Sequence, residues 1–379
     1  MICSKRLAAI LPLVLMLSTV GGEAQKKTKQ ARTFWMGFTP FAPDITDEAD
    51  KDMARFLNEN ADIVAQHMES IPWTEALNGE PFQENLMNGW RHRKAITPAG
   101  AKVYVALNPG RGELADYWGA SEHDSLPTQF KGKTFSDPLV KRAYLNYCKR
   151  AVEFFNPDYL AIGIEVNELA LNVPDRFSAY VELHEYVYKE LKKQYPKLPI
   201  FASFTLHGLL DSRRPKADRE RALAALKDLM PYNDLVGISF YPFFGNLSDQ
   251  VDASFSWLTT QFDEFRKPYA FAETGEAADK LTLQLNGTPW AIDGSPARQE
   301  AYYQKLFALA KSRHMEFIIT FLYKDYDLLW KKIADKSPPV FQAWQDTGLI
   351  DQSGASRPAC KLWKQFYEMP RKTSQERNY

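Results

Sequence analysis

The sequence predicts an α/β chain folded as a single (β/α)8 (TIM) barrel, on three observations. Eight short apolar runs are separated by longer amphipathic stretches. Such alternation favours a parallel sheet, and eight units favour closing it. Within the fourth and sixth runs large aliphatics alternate with small or polar residues, as expected of strands facing helices on one side and a crowded interior on the other. Two of the runs also end in glutamates, Glu165 and Glu273, at the rim where such a barrel carries its site.

The predicted strands are 33–41, 61–70, 102–109, 158–167, 198–207, 235–243, 268–275 and 317–324. Helix-like stretches between them include 137–155, 175–195, 217–230, 251–266 and 296–314. Ser136 or Asp137 and Ser295 are candidate N-caps, with Pro296 at a first helical position. In the fourth strand Leu160, Ile162, Ile164 and Val166 share one parity, which predicts them outward. Ala161, Gly163, Glu165 and Asn167 share the other and are expected inside. In the sixth, Val236, Ile238 and Phe240 are expected outward, and Gly237, Ser239 and Tyr241 inward. Ser203, Thr205 and His207 take the inward parity of the fifth, while Glu168 has the wrong parity to reach the mouth.

The length of 379 residues allows two domains, but no linker or repeat divides the chain, and 45% hydrophobic residues suffice for one large core. Formal net charge is zero, from 47 basic and 47 acidic residues. With no basic stripe, nucleic acid is not an expected partner. The N-terminus reads as a signal peptide over residues 1–24. Lys5 and Arg6 precede an apolar run, 7–20, that is short for a membrane span, and Gly22-Glu23-Ala24 supplies small residues for cleavage. An uncleaved anchor is the alternative. A polar leader, 25–32, follows, then the barrel, 33–379. The mature protein is expected to be secreted or periplasmic and off the membrane.

Export would let Cys148 and Cys360 oxidise; one bridge and two buried free thiols both remain open. No metal site and no cofactor are expected: there is no HExxH, cysteine cluster, EF-hand spacing or Gly-rich phosphate loop. No Gly-x-Ser-x-Gly elbow points to an α/β-hydrolase. Asn246-Leu-Ser248 and Asn286-Gly-Thr288 are glycosylation sequons.

Glu165 and Glu273 lie three strands apart around the ring, on opposing sides of the mouth. Paired carboxylates so placed are what cleavage of a glycosidic bond requires: one protonates the leaving oxygen, the other attacks the anomeric carbon. Tyr241, His67, Asn167, Asn108, His207 and Trp290 are candidate substrate-site residues. Arg111 is a candidate hydroxyl contact, although Asn108-Pro-Gly-Arg111 also reads as a turn. Trp73 and Trp118 are further candidates for stacking on sugar. Glu276 is read as a loop carboxylate, and Lys324 and Asp325 as an ion pair or a substrate contact.

Ile162-Gly-Ile-Glu-Val-Asn167, Asp234-Leu-Val-Gly-Ile-Ser-Phe-Tyr-Pro-Phe243 and Lys267-Pro-Tyr-Ala-Phe-Ala-Glu-Thr-Gly275 carry a family resemblance. They resemble the fourth, sixth and seventh strands of the clan A glycoside hydrolases, the endo-β-1,4-galactanases of glycoside hydrolase family 53 above all. The resemblance implies a retaining hydrolase of a β-linked glycan, galactan-like or another plant or microbial polysaccharide. Glu165 would be its acid/base and Glu273 its nucleophile, with Tyr241 hydrogen-bonded to Glu273. His67-Met-Glu-Ser-Ile-Pro-Trp73 and Tyr323-Lys-Asp-Tyr-Asp327 loosely resemble bacterial proteins of the clan with no settled activity. One position departs: the clan's Asn before the acid/base is Ile164 here. The alternative reading is a catalytically silent exported carbohydrate-binding protein on the same scaffold.

Overall fold

The computed structural model describes residues 31–285 and 287–372; the expected signal peptide and nearly all of the leader lie outside them. The eight predicted strands form, shorter than expected. They are Trp35–Phe38, Ile63–Met68, Lys102–Leu107, Tyr159–Ala161, a fifth in two pieces (Ile200–Phe201 and Ser203–Thr205), Val236–Phe240, Tyr269–Thr274 and Met315–Thr320. Each pairs in parallel with its sequence neighbours, and the eighth returns to the first through Phe317 opposite Trp35. The fifth strand's first piece pairs with the fourth and its second with the sixth, so the ring closes across Ala202. This is the (β/α)8 barrel.

The helices form where an apolar stripe meets a cap. Asp137 caps Pro138–Phe155 by accepting from the Leu139 amide at 2.8 Å, and Ser295 caps Pro296–Ser312 by accepting from Arg298 N. Val140, Ala143, Tyr144, Tyr147, Cys148 and Ala151 form the buried stripe of the first of these helices. Cys148 and Cys360 are both buried free thiols. A terminal helix, Pro358–Tyr367, packs on the outer layer through Trp363, whose indole donates to Asn60 O at 3.0 Å.

Two of the hydrophobic clusters build the barrel itself. Leu160, Ile162, Val166, Val236, Ile238 and Phe240 pack outward against the helices. Inside the barrel Tyr104, Tyr159, Phe201 and Phe317 stack with Ile63, Ala65, Ala106, Ala270 and Ala272. The Tyr104 and Phe317 ring centroids are 5.0 Å apart. Gly237 faces this plug: a Cβ there would lie 2.5 Å from the Phe201 ring. The interior is thus filled with side chains, and the polar residues stand above it.

The fourth strand corrects the simple alternation. Ile164 is expected outward but joins the inner cluster, and Gly163, expected inward, faces the outer helix Pro174–Gln194. A Cβ on Gly163 would sit 1.9 Å from the Tyr180 hydroxyl. Regular pairing ends at Ala161, and Glu165 itself has φ +55. A hairpin absent from the eight-strand expectation, Lys280–Leu285 with Thr288–Asp293, rises from the loop after the seventh strand.

Candidate active site at the barrel mouth

Both glutamates enter the mouth through breaks in strand regularity. After Ala161, Ile162 and Gly163 both face outward; Ile164 and Glu165 then both turn in. The Glu165 amide is held by Ser203 Oγ at 3.1 Å. In the seventh strand the register slips between Ile238 opposite Phe271 and Ser239 opposite Glu273. The slip leaves Ala272 as an extra residue. Ala270 and Ala272 face the interior, and the bulge turns Glu273 inward as well, while Thr274 points out to Tyr302. A bulge re-aims a side chain in this way beside many active sites.

Glu273 Oε1 accepts from the Tyr241 hydroxyl at 2.6 Å, and its Oε2 lies 3.9 Å from His67 Nδ1. Glu165 Oε1 accepts from Ser239 Oγ at 2.7 Å, and its Oε2 from Arg111 Nη1 at 3.0 Å. Glu69, one residue past the second strand, completes the set. It accepts from Arg111 Nη2 at 3.2 Å and lies 3.0 Å from His67 Nε2. A chain of charged contacts therefore runs Glu165–Arg111–Glu69–His67–Glu273 across the mouth.

These contacts set the protonation preferences. Burial pushes the Glu273 carboxyl above its ordinary range; His67 opposes this, the Glu165 charge adds to it, and the Tyr241 hydrogen bond opposes it. Burial also works to raise Glu165, but Arg111 first, then His207 and Ser239, outweigh it and hold it low. Burial disfavours charge on His67, yet Glu69 and then Glu273 keep its pKa raised. Loss of hydration works against the charge on Glu69, but His67 and Arg111 outweigh it and hold its carboxyl well below the usual range. These contacts favour the proton on Glu273 over Glu165.

An aromatic wall stands on the side of the fifth to eighth strands. The His207 ring stacks on Phe244 at 5.3 Å, and Phe244 packs on Trp290 of the hairpin at 5.2 Å and on Trp344 at 4.8 Å. Trp344 meets Tyr241 edge-on at 5.6 Å. His207 Nδ1 accepts from the Tyr241 amide at 3.4 Å, and burial pushes its imidazole down. Such faces suit the C–H surfaces of sugar rings, with the carboxylates beside them supplying polar contacts.

The expected site residues divide clearly. Tyr241, His67 and His207 join the two glutamates, and Trp290 stands in the wall. Asn167 does not reach the mouth: it is fully buried, and its amide group is spent on Thr205, donating to O at 3.0 Å and Oγ1 at 2.9 Å and accepting from N at 2.7 Å. Asn108 is buried and braces the turn, accepting from the Gly110 amide at 3.2 Å, with its Nδ2 3.4 Å from Glu69. Trp73 is buried too, its indole donating to Ala115 O. Glu168 pairs with Arg214 at 3.0 Å and accepts from Thr205 Oγ1 at 2.7 Å. Glu276 is buried, and burial pushes its carboxyl up to about 7. Asp325 forms its ion pair with Arg357, at 2.7 Å through both nitrogens, rather than with Lys324. Asp279, Asp325 and Asp346 converge within 4.8 Å, and Arg357 supplies positive charge there.

Glu69, Phe244 and Trp344 went unmarked in the sequence. Glu69 carried the one available signal, lying two residues past His67 at the end of a strand.

The fold and site define a (β/α)8 barrel with two carboxylates facing its mouth. Solved structures share the fold. A GH5_18 enzyme from Streptomyces cattleya, in complex with Manβ1-4GlcNAc, superposes with TM-score 0.61 at 12% identity, covering 89% of this chain and 83% of its own. A GH53 catalytic domain from Ignisphaera aggregans gives TM-score 0.52 at 17% identity, over 88% and 91%. An exo-β-1,4-mannosidase from Opitutaceae bacterium strain TAV5 gives TM-score 0.56 at 13% identity; 89% of this chain spans 59% of that one. No protein-family model and no curated protein sequence matches the chain. At these identities the likeness establishes the (β/α)8 barrel fold.

Proposed function

We propose that the protein is a retaining glycoside hydrolase acting on a β-linked glycan. The observation that carries this reading is the pair Glu165 and Glu273, each re-aimed into the mouth by a backbone irregularity and each held by its own hydroxyl donor. Glu273 attacks the anomeric carbon while Glu165 gives its proton to the departing glycosidic oxygen. Glu165, now ionised, takes a proton from water, whose oxygen replaces Glu273 at that carbon. Retaining enzymes place their carboxyl groups about 5–5.5 Å apart for this sequence. Tyr241 orients Glu273 and favours its ionised form. The wall of His207, Phe244, Trp290 and Trp344 binds sugar faces, and no cofactor takes part. The basic and apolar N-terminal pattern supports export, so the substrate is an extracellular or periplasmic oligo- or polysaccharide.

A panel of plant and microbial β-glycans, galactans and mannans among them, tests this. Reducing ends whose first-formed anomer is β by proton NMR are the expected result; an α anomer would refute retention.

A second reading rests on Arg111 covering Glu165 and on Ile164 beside it: a glycan-binding protein without turnover. It predicts glycan retention that survives loss of both glutamates, with no product.

A further inference from the structure

Arg111 sits on the carboxylate that the proposed reaction needs protonated. The backbone beneath it is tightly packed: Gly110 and Gly112 have φ of 137 and 117, and a Cβ at Gly110 would lie 1.9 Å from the Glu113 carbonyl oxygen. Its freedom lies in the side chain, which is 50% exposed and has several rotatable bonds. One nitrogen reaches Glu165, at 3.0 Å. Nε and Nη2 face Glu69 at 3.3 and 3.2 Å. Glu69 is braced from behind by His67 at 3.0 Å. The guanidinium therefore has two anionic seats, and leaving Glu165 gives up one hydrogen bond while keeping the forked contact with Glu69. Ser239 already occupies the other Glu165 oxygen, so Arg111 covers the oxygen left for a substrate.

Building on the glycosidase reading, we propose that Arg111 is a displaceable counterion: it caps Glu165 in the contacts seen here and withdraws onto Glu69 when a sugar fills the mouth. Freed of its cation, the half-buried Glu165 carboxylate takes up one proton from solvent; Arg111 stays charged and is matched by Glu69. Arg111 is thus a positioning residue that acts through Glu165. It keeps the acid unarmed until substrate is present, which reconciles a Glu165 held low by Arg111 with its work as a proton donor.

The test has two arms. The first follows the Glu165 carboxyl carbon by 13C NMR in the free full chain, the signal identified by its loss in Glu165→Gln. Arg111→Met raises the Glu165 midpoint by about one pH unit or more, because burial is then opposed only by His207 and by the Ser239 hydroxyl. Glu69→Gln leaves it low or lowers it, since Arg111 keeps Glu165 as its acidic partner. Arg111→Lys, which retains the charge, keeps the midpoint low and controls for folding. Midpoints that ignore Arg111→Met in a folded protein would overturn the proposal.

The second arm uses the glycan that wild type cleaves. The alkaline limb of kcat reports the occupied enzyme and that of kcat/KM the free one. In wild type the kcat limb lies about one pH unit or more higher, and in Arg111→Met the gap closes. Coincident limbs in wild type would overturn displacement. Failure of the glycosidase reading looks different: no glycan is cleaved while the NMR midpoints still move, which removes the arming role and leaves a static ion pair.

Discussion

The Tyr241 hydroxyl donates to Glu273 across 2.6 Å, joining the residue after the sixth strand to the bulged end of the seventh. This bond counters burial, which pushes the Glu273 proton affinity up. Tyr241 is itself buried, with its own ionisation raised well out of reach, so it acts as a permanent donor.

Tyr241→Phe therefore moves Glu273 further toward its protonated form. A hydrogen bond to a charged group contributes about 1.5–3 kcal/mol. We expect kcat/KM to fall roughly 10- to 150-fold, with the acid limb of its pH profile displaced to higher pH. An unmoved limb would show that the bond does not tune Glu273.

Asn167→Ala is expected to damage the fold and leave substrate binding alone. Its three hydrogen bonds to Thr205 tie the fourth strand's exit to the fifth. At about 1 kcal/mol each, their loss costs roughly 2–3 kcal/mol in urea unfolding. A large rise in KM at unchanged stability would return Asn167 to the mouth.

The same residue shows where the sequence was legible. Eight apolar runs located all eight strands, and alternation read the sixth strand correctly, because no bulge interrupts it between Val236 and Phe240. In the fourth strand, counting by twos aimed Glu165 inward but also Asn167, which is buried on Thr205, and it sent Ile164 the wrong way. A positive φ at Glu165 and an extra residue at Ala272 are decided by tertiary contacts, among them Ser203 on the Glu165 amide, and leave no mark in the alternation. The hairpin is a different case. Asn286-Gly287 between two alternating runs is a hairpin signal, but a frame of eight parallel strands has no place for it. Arg357 lies 32 residues from Asp325, so their pairing was out of reach of any local pattern.

Arg357→Met should be among the most destabilising single changes outside the mouth. Arg357 and Asp325 are 6% and 3% exposed and bonded through two nitrogens. Burial pushes the Asp325 carboxyl up to about 7 even beside Arg357, so removing the cation leaves a buried acid that has lost its two hydrogen bonds, at about 3–5 kcal/mol. Urea unfolding of the variant checks this; a loss below about 1 kcal/mol would place the pair among surface-like bridges.

Glu276 predicts a pH dependence of stability. Its carboxyl is pushed up to about 7 by burial, so the folded chain holds a proton that the unfolded chain releases. Stability then falls as pH rises from the ordinary carboxylate range through about 7, since unfolding releases a proton across that window. Glu276→Gln should raise Tm above pH 7 and leave it unchanged near pH 4. Parallel Tm–pH curves for wild type and variant would contradict the assignment.

The central claim is that Glu273 forms the bond to the sugar. Wild type and Glu273→Gln, as mature chains, should be run side by side on the β-glycan panel, with product release and glycan retention both recorded. The account predicts reducing ends from wild type alone, with retention of the same glycan by both proteins. Equal product from Glu273→Gln would contradict it.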